Sequence, residues 1–272
     1  MPRLAVLFTV CGFVAFVLIF VNPLYNKESG ISVNYKECCS IFSDFRMERY
    51  KNAVGKDKAA ELYLLNLSLS RELFHVVSIF EIVLRNKIDI CLQQAFKDGN
   101  WLYNSIQPQT NPALKYQGCF LRNGTKESAE LIKVALSKIQ NNSGGKFDHN
   151  QLVAGLGFGF WRYLFAGGKD AQFDATGKVL MKVFPKKPKS TPSVQHNQKW
   201  IFRELSNINN FRNRLAHHEP ICFKGAIKDT GYARNIHQSI FELLNYMDVD
   251  TASVFSHFSD QVIAVCDEID KL

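Results

Sequence analysis

The chain has 272 residues, of which 46% are hydrophobic and 21% charged, so it can bury a sizeable core and does not have the composition of a disordered protein. Its net charge of +8 favours a polyanionic partner, such as RNA, DNA or an anionic membrane, without choosing among them. The seven cysteines include no C-x-x-C pair and no accompanying histidine cluster, which favours a reduced compartment and predicts neither a metal site nor another cofactor.

An apolar run comes first along the chain, from Leu4 to Val21, with Thr9 as its only polar residue. Its 18 residues reach the lower limit for a helix that crosses a membrane. A secretory signal is the competing interpretation, but the run is longer than a usual signal core and no small-x-small cleavage site follows it. An uncleaved anchor is therefore favoured over a signal, and a start of translation downstream of the run is the third alternative.

Two locations follow from these alternatives. The protein lies on the cytoplasmic face of a membrane if residues 4–21 form a single N-terminal anchor, and it is soluble and cytoplasmic if translation starts downstream. The chain is expected to divide into a hydrophobic segment at 1–22, a polar linker at 23–40 and a helical domain at 41–272. The charges flanking the run are nearly balanced, so its orientation stays open.

The strongest helical pattern follows the linker. From Asp57, a residue type typical of helix N-caps, apolar residues recur every three or four positions, and neither Gly nor Pro occurs before Gly99. The pattern predicts one long central helix, or two nearly collinear ones. Its apolar positions are Leu62, Leu65, Leu69, Leu73, Val76, Phe80, Leu84, Ile88, Cys91 and Ala95.

Shorter helices are predicted in the rest of the chain. Pro and Gly break the helical pattern at residues 98–125, after which helical spacing returns. Pro220 stops the helix predicted at about 197–218. No long alternating strand pattern occurs, so the predicted fold class is all-α. The further helices are expected at about 128–139, 149–165, 197–218, 232–246 and 251–270.

Two patterns suggest phosphate contacts, but a structural interpretation is better for each. Gly155, Gly157 and Gly159 form a G-x-G-x-G series, yet no strand precedes it and no Lys or Ser follows where a phosphate loop needs one. Close packing of helices through small residues is therefore favoured. The basic, proline-broken segment 185–192 is more typical of a solvated surface loop than of a phosphate site.

The end of the predicted 197–218 helix carries the best candidate for a chemical site. At about 100° per residue, Arg212 lies inside the apolar stripe of this helix, where its guanidinium must reach solvent or find a carboxylate. Asn213 and His217 share one face. His217 and His218 both fall in the last turn, where the helix dipole favours a protonated imidazole. Arg and His are also ordinary residues at helix ends, so the pattern alone does not establish a catalytic site. The stripe consists of Ile201, Leu205, Ile208 and Leu215, with Phe211 at its edge.

A second polar group lies on the long central helix. Glu81 and Arg85 are four residues apart in the order that favours an ion pair, and Asn86 follows directly. A routine ion pair on a solvated face is the simpler interpretation. The alternative is a polar site between two helices, in which Glu81 orients one of the arginines.

Four ordered blocks of sequence carry a resemblance to a known family. The most specific runs from Arg212 to Ile221, reads RNRLAHHEPI and contains an R-N-x-x-x-H motif. Together the blocks are similar to the Abi-like (abortive infection) family of HEPN proteins, and they cover about residues 42–225. The other three blocks lie at 45–57, 81–86 and 156–161.

The resemblance implies an all-α, HEPN-like helical bundle and metal-independent cleavage of RNA, in which a 2′-hydroxyl attacks the neighbouring phosphate. Arg212 would stabilise charge on the phosphate, His217 would move protons, and Asn213 would position His217 or the substrate. RNA, a second copy of the chain, and an antitoxin or a phage-derived trigger are the partners it implies. The supporting polar residues would be His218, Glu81, Arg85 and Asn86.

Helix geometry constrains this site. On a regular helix Arg212 and His217 point about 140° apart. A shared site therefore needs the long reach of Arg212, some unwinding before Pro220, or contributions from two chains. A non-catalytic helical module that binds RNA or a partner through the same side chains is the alternative function. A membrane-anchored sensor of infection is compatible with either.

Overall fold

The computed structural model describes residues 34–107, 126–167, 178–256, 258 and 260–272, together with two short strands near the N-terminus. It is 71% helix and 2% strand, so the all-α fold class is confirmed. The segment 108–125, which lies within the stretch that Pro and Gly were expected to break, falls outside the described residues.

One helix, α3 (Lys56–Phe96), spans 41 residues and confirms the central helix as a single element. Gly55 precedes it with a φ of +83°, a left-handed conformation that glycine adopts without strain. Asp57 lies in the first turn of the helix rather than at its N-cap, and a carboxylate is favoured there too by the positive end of the helix dipole. The predicted apolar positions from Leu62 to Ile88 are all buried.

The chain forms two compact units. Unit 1 holds Glu81–Asn209 and Leu243–Val249, together with the N-terminal strands. Unit 2 holds residues 34–80 and the segments Asn210–Glu242 and Asp250–Leu272. The division passes through α3, so its first part supports unit 2 and its second part supports unit 1.

Unit 2 begins with two short helices ahead of α3. The first, α1 (Tyr35–Phe42), starts within the stretch expected to be a linker, because Asn34 and Glu37 form a capping box. The side chain of each accepts the backbone N–H of the other at 3.0 Å. The remaining elements are α2 (Asp44–Val54), a hairpin of β3 (Phe223–Lys224) and β4 (Ile227–Lys228), most of α9 (Gly231–Tyr246), α10 (Thr251–Ser256) and α11 (Val262–Lys271).

The core of unit 2 joins α2, α3 and the hairpin. The ring of Tyr50 meets those of Tyr63 and Phe223 edge to face, with centroids 5.0 and 5.3 Å apart. Aromatic pairs in this arrangement stabilise a core beyond the area that they bury. The hairpin itself was not predicted, because strands of two residues are too short to show an alternating pattern.

Unit 1 contains the other helices. The predicted helix at 149–165 is interrupted, because α6 ends at Gly155 and the next helix begins at Phe158. A Cβ added at Gly155 would lie 3.5 Å from the Cβ of Ala135, an ordinary van der Waals contact, and one added at Gly157 would meet nothing within 4 Å, so the packing at these two positions does not require glycine. The elements are α4 (Trp101–Ser105), α5 (Lys126–Asn142), α6 (His149–Gly155), α7 (Phe158–Tyr163), a 3₁₀ turn (Leu180–Val183) and the first part of α8 (Gln198–Ala216).

The predicted helix at 251–270 is two helices, α10 and α11, rather than one. Asp260 lies between them, and its carboxylate accepts the backbone N–H of Val262 at 3.1 Å. The same carboxylate lies 2.7 Å from Nε2 of His237. A side chain that accepts a backbone N–H in this way competes with the helix, which explains the break.

Four residues within the apolar run 4–21 are described, and they form strands. β1 (Thr9–Val10) pairs antiparallel with β2 (Phe13–Val14). The expected helix is wrong at these positions, whose β-branched and aromatic residue types favour strand. The rest of the run lies outside the described residues. Where the structure describes the chain, it contains no helix that is both long and apolar enough to cross a membrane.

Candidate functional site

The R-N-x-x-x-H motif lies at the C-terminal end of α8, in unit 2. Arg212 is half-buried, as its place in the apolar stripe predicts. Its guanidinium makes no hydrogen bond or ion pair with any residue that the structure describes, so no carboxylate neutralises it there. The stripe is confirmed, since Ile201, Leu205, Ile208, Phe211 and Leu215 are all buried.

The helix ends earlier than predicted, in a Schellman turn. The N–H of His218 donates to the carbonyl of Leu215, and the N–H of Glu219 donates to that of Arg214, each at 3.0 Å. His218 occupies the left-handed position of this turn with a φ of +53°, where glycine is the usual residue. Both His217 and His218 therefore follow the last helical residue instead of lying within the last turn.

The polar side chains of the motif face solvent. Asn213, His217 and His218 are exposed, and their side chains make no hydrogen bond or ion pair within the described part of the chain. No hydrogen bond joins Arg212 to His217, in keeping with their separation around the helix. The motif thus presents a guanidinium, a carboxamide and imidazoles that no residue of the described chain engages.

Arg214, inside the motif, has a structural role instead. Its Nε donates to the Glu219 carboxylate at 3.0 Å, and its Nη2 donates to the carbonyl of Pro220 at 2.8 Å. The guanidinium also lies 5.5 Å from the centroid of the Tyr232 ring, within range of a cation–π contact. These contacts fix the turn after α8, which holds the motif histidines in place.

A buried asparagine of α3 secures the chain just after this turn. Asn66 is 3% exposed, and its Oδ1 accepts the backbone N–H of Ile221 at 2.9 Å and that of Cys222 at 3.3 Å. Two buried backbone donors are satisfied by one side-chain oxygen. The segment that follows the motif is therefore tied to the long helix.

Arg46 of α2 joins the site although the motif does not include it. Its Nη1 donates to the carbonyl of His218 across 3.5 Å, and no carboxylate of the described chain pairs with it. Arg49, one turn later, is engaged by the fold: it donates to the carbonyl of Gly225, and its guanidinium lies 4.4 Å from the centroid of the Phe223 ring. The family resemblance at 45–57 marked this segment, but no spacing in the sequence indicated its contact with the motif.

Two other titratable groups near the turn, Cys222 and Tyr232, stay protonated near neutral pH. Burial raises the pKa of the Cys222 thiol to about 12. Burial also raises the pKa of Tyr232, although the charge of Arg214 opposes the shift. Within the described residues, no group of three or more His, Cys, Asp or Glu side chains is placed to hold a metal ion.

The second predicted polar group has an environment of its own, in unit 1. Arg85 makes no ion pair with any residue that the structure describes, so the routine intrahelical pair that the spacing with Glu81 favoured is not formed. Arg85 and Asn86 instead line a cavity between α3 and α6, together with Asp89. These residues are thus assigned to a different unit from the motif that they were expected to support.

A family model described as Abi-like protein matches residues 31–222 of the chain, well over half of its length. The matched region extends from α1 to the segment that Asn66 secures, and it includes the complete motif and Arg46. No curated protein and no solved structure matches the chain significantly.

Proposed function

Since this chain belongs to the Abi-like protein family, which indicates an abortive-infection type of function, we propose that it is a defence effector that cleaves RNA without a metal ion. The observation that supports the proposal best is the state of the motif. Arg212, Asn213 and His217 present polar side chains that no described residue engages, while Arg214 and Asn66 hold the backbone that carries them.

The proposed reaction is an internal transesterification. The 2′-oxygen of the RNA attacks the adjacent phosphorus while the imidazole of His217 accepts the 2′-hydroxyl proton. The bond between phosphorus and the 5′-oxygen breaks, and the leaving oxygen takes up a proton. The products are a 2′,3′-cyclic phosphate and a 5′-hydroxyl end. Arg212 stabilises the charge that builds on the non-bridging oxygens, and Asn213 positions His217 or the RNA.

A homodimer would supply the second proton-transfer group. One imidazole cannot take the 2′ proton and protonate the leaving oxygen on the far side of the phosphorus at once. A second copy of the chain would bring another His217 to the same cleft, which also relieves the angular separation of Arg212 and His217 on one helix. An antitoxin or a phage-derived trigger would then control when the two motifs meet RNA.

Arg46 would extend the site along the RNA backbone. Its guanidinium is exposed, lies at the turn that follows α8 and is not neutralised by a carboxylate of the described chain. An exposed guanidinium at this turn suits a neighbouring phosphate, because Arg binds phosphate oxygens through several donors at once.

The test is cleavage of a labelled single-stranded RNA by the purified full-length protein in EDTA. We expect His217→Ala to lower the rate by at least about a hundredfold, the usual loss for a group that transfers protons, with a helical spectrum like that of the wild type. Asn207→Ala, at an exposed position of the same helix, is the matched control and should cut normally. Equal cleavage by wild type and His217→Ala would disprove the proposal.

A non-catalytic RNA-binding module is the second candidate. The lack of a hydrogen bond between Arg212 and His217 within one chain favours it. Such a module would bind RNA in a salt-dependent way and leave it intact. The detection of 2′,3′-cyclic phosphate ends in the products of the wild type, and not of His217→Ala, would exclude it.

A further inference from the structure

A cavity of about 280 Å³ lies in unit 1, between the second part of α3 and α6. Its α3 residues are spaced so that they share one side of the helix, and its α6 residues are spaced by three and four. Five of its eight lining residues have polar side chains. The lining residues are Arg85, Asn86, Asp89, Ile90, Gln93, Asn150, Val153 and Ala154.

One wall of this cavity is fixed by a buried carboxylate. Asp89 is 6% exposed, and its Oδ1 accepts from Nε1 of Trp101 at 2.7 Å and lies 2.8 Å from Nε2 of His149. Its Oδ2 accepts from the carboxamide of Gln93 at 2.6 Å. Since both oxygens accept from other donors, Asp89 is held in place, and it forms no ion pair with Arg85.

Arg85 lacks the partner that a buried guanidinium nitrogen requires. Its Nε is buried and has no hydrogen-bond acceptor, and the side chain forms no ion pair with the described chain. A buried donor left without an acceptor destabilises a folded protein. The Arg85 side chain that lines the cavity therefore carries a positive charge without an ion-pair partner among the described residues, and a ligand oxyanion would pair with that charge.

We propose that this cavity binds a small metabolite that carries an oxyanion, a phosphate or a carboxylate, on Arg85. The volume is just below the range of roughly 300–1,000 Å³ that is usual for small-molecule sites, so the ligand is compact. The carboxamides of Asn86 and Asn150 supply donors and acceptors for its polar edge, and Val153 with Ile90 supplies apolar surface. The site lies wholly in unit 1 and does not depend on the proposed RNA cleavage.

The experiment is isothermal titration calorimetry of the full-length protein at constant ionic strength with three probes: inorganic phosphate, adenosine 5′-monophosphate and citrate. Binding of phosphate or the nucleotide identifies a phosphate ligand, and binding of citrate alone identifies a carboxylate. We expect Arg85→Gln to weaken the binding about tenfold or more, the usual effect of losing a hydrogen bond to a charged group.

Two further variants make the result decisive. Ala154→Leu fills the cavity from an exposed position of α6 without removing a charge, and it should abolish binding even if Arg85→Gln fails to fold. Arg203→Gln removes an exposed arginine of α8 in the same unit and should bind as the wild type does. The proposal is overturned if the wild type binds none of the three probes, or if Ala154→Leu binds them unchanged.

Discussion

The hydrogen bonds between Asn66 and the segment after the motif contribute to the free energy of unfolding, and this contribution can be measured. Replacement of Asn66 by Ala would leave the N–H groups of Ile221 and Cys222 buried without an acceptor. Each unsatisfied buried donor costs about 1–3 kcal/mol, and the longer of the two bonds belongs at the low end of that range. We therefore expect Asn66→Ala to lower the free energy of unfolding by about 2–4 kcal/mol.

That loss is large beside the total stability of a domain, about 5–15 kcal/mol. It should lower the melting temperature by roughly 4–16 °C, since 1 kcal/mol corresponds to about 2–4 °C in chains somewhat smaller than this one. Urea denaturation followed by circular dichroism measures the free energy, and a thermal melt measures the midpoint. Asn207→Ala is the matched control, because Asn207 is exposed on a helix and should change stability by about 0.5 kcal/mol or less. A similarly small change for Asn66→Ala would refute the claim that this side chain satisfies the two donors.

Three further outcomes follow from the same region. In a His217→Ala background, Arg46→Gln should weaken the salt dependence of binding to single-stranded RNA: the slope of the log of the binding constant against the log of the salt concentration should fall by about 0.7, the value for one phosphate contact. Fluorescence anisotropy at several KCl concentrations measures this slope, and an unchanged slope rules out the contact. His218→Gly should raise the free energy of unfolding, measured by urea denaturation, by about 1 kcal/mol, because glycine removes the cost of the left-handed φ. A lower stability would show that the His218 side chain stabilises the turn. Finally, the free energy of unfolding should fall between about pH 9 and pH 12, because burial raises the pKa of Cys222 from 9.0 to about 12, so that in this range the unfolded chain loses a proton that the folded chain retains. Cys222→Ala should flatten that fall, and an equal fall in both proteins would contradict it.

The elements that the sequence predicts best are those that local patterns specify. The apolar stripe of α3 and that of α8 repeat at the helical period, so burial follows from spacing alone. Helix ends are less well specified, because the Schellman turn at His218 depends on a left-handed residue that is not glycine. The strands of the hairpin could not be predicted either, because two residues are too few to show an alternating pattern.

Contacts between distant parts of the chain were beyond prediction. Arg46 and His218 are 172 residues apart, and no periodic pattern in the sequence indicates a contact over such a separation. Asn66 did carry a signal: it lies four residues after Leu62 and three before Leu69, inside the buried stripe of α3. A polar side chain at such a position is buried with a hydrogen-bond partner far more often than without one. The identity of that partner still required the fold.

The arginines near the motif divide into two classes, according to whether other residues of the described chain engage their guanidinium groups. Arg214 and Arg49 donate to backbone carbonyls and lie over aromatic rings, so their charges serve the structure. Within the described chain, Arg212 forms no hydrogen bond or ion pair, and Arg46 forms one long hydrogen bond, to the carbonyl of His218. A site that binds phosphate needs guanidinium groups whose donors are still available, on a backbone that does not move when the ligand arrives. Arg214, Arg49 and Asn66 fix the backbone, while Arg212 and Arg46 keep donors available. For this reason we assign Arg212, rather than Arg214, to the phosphate.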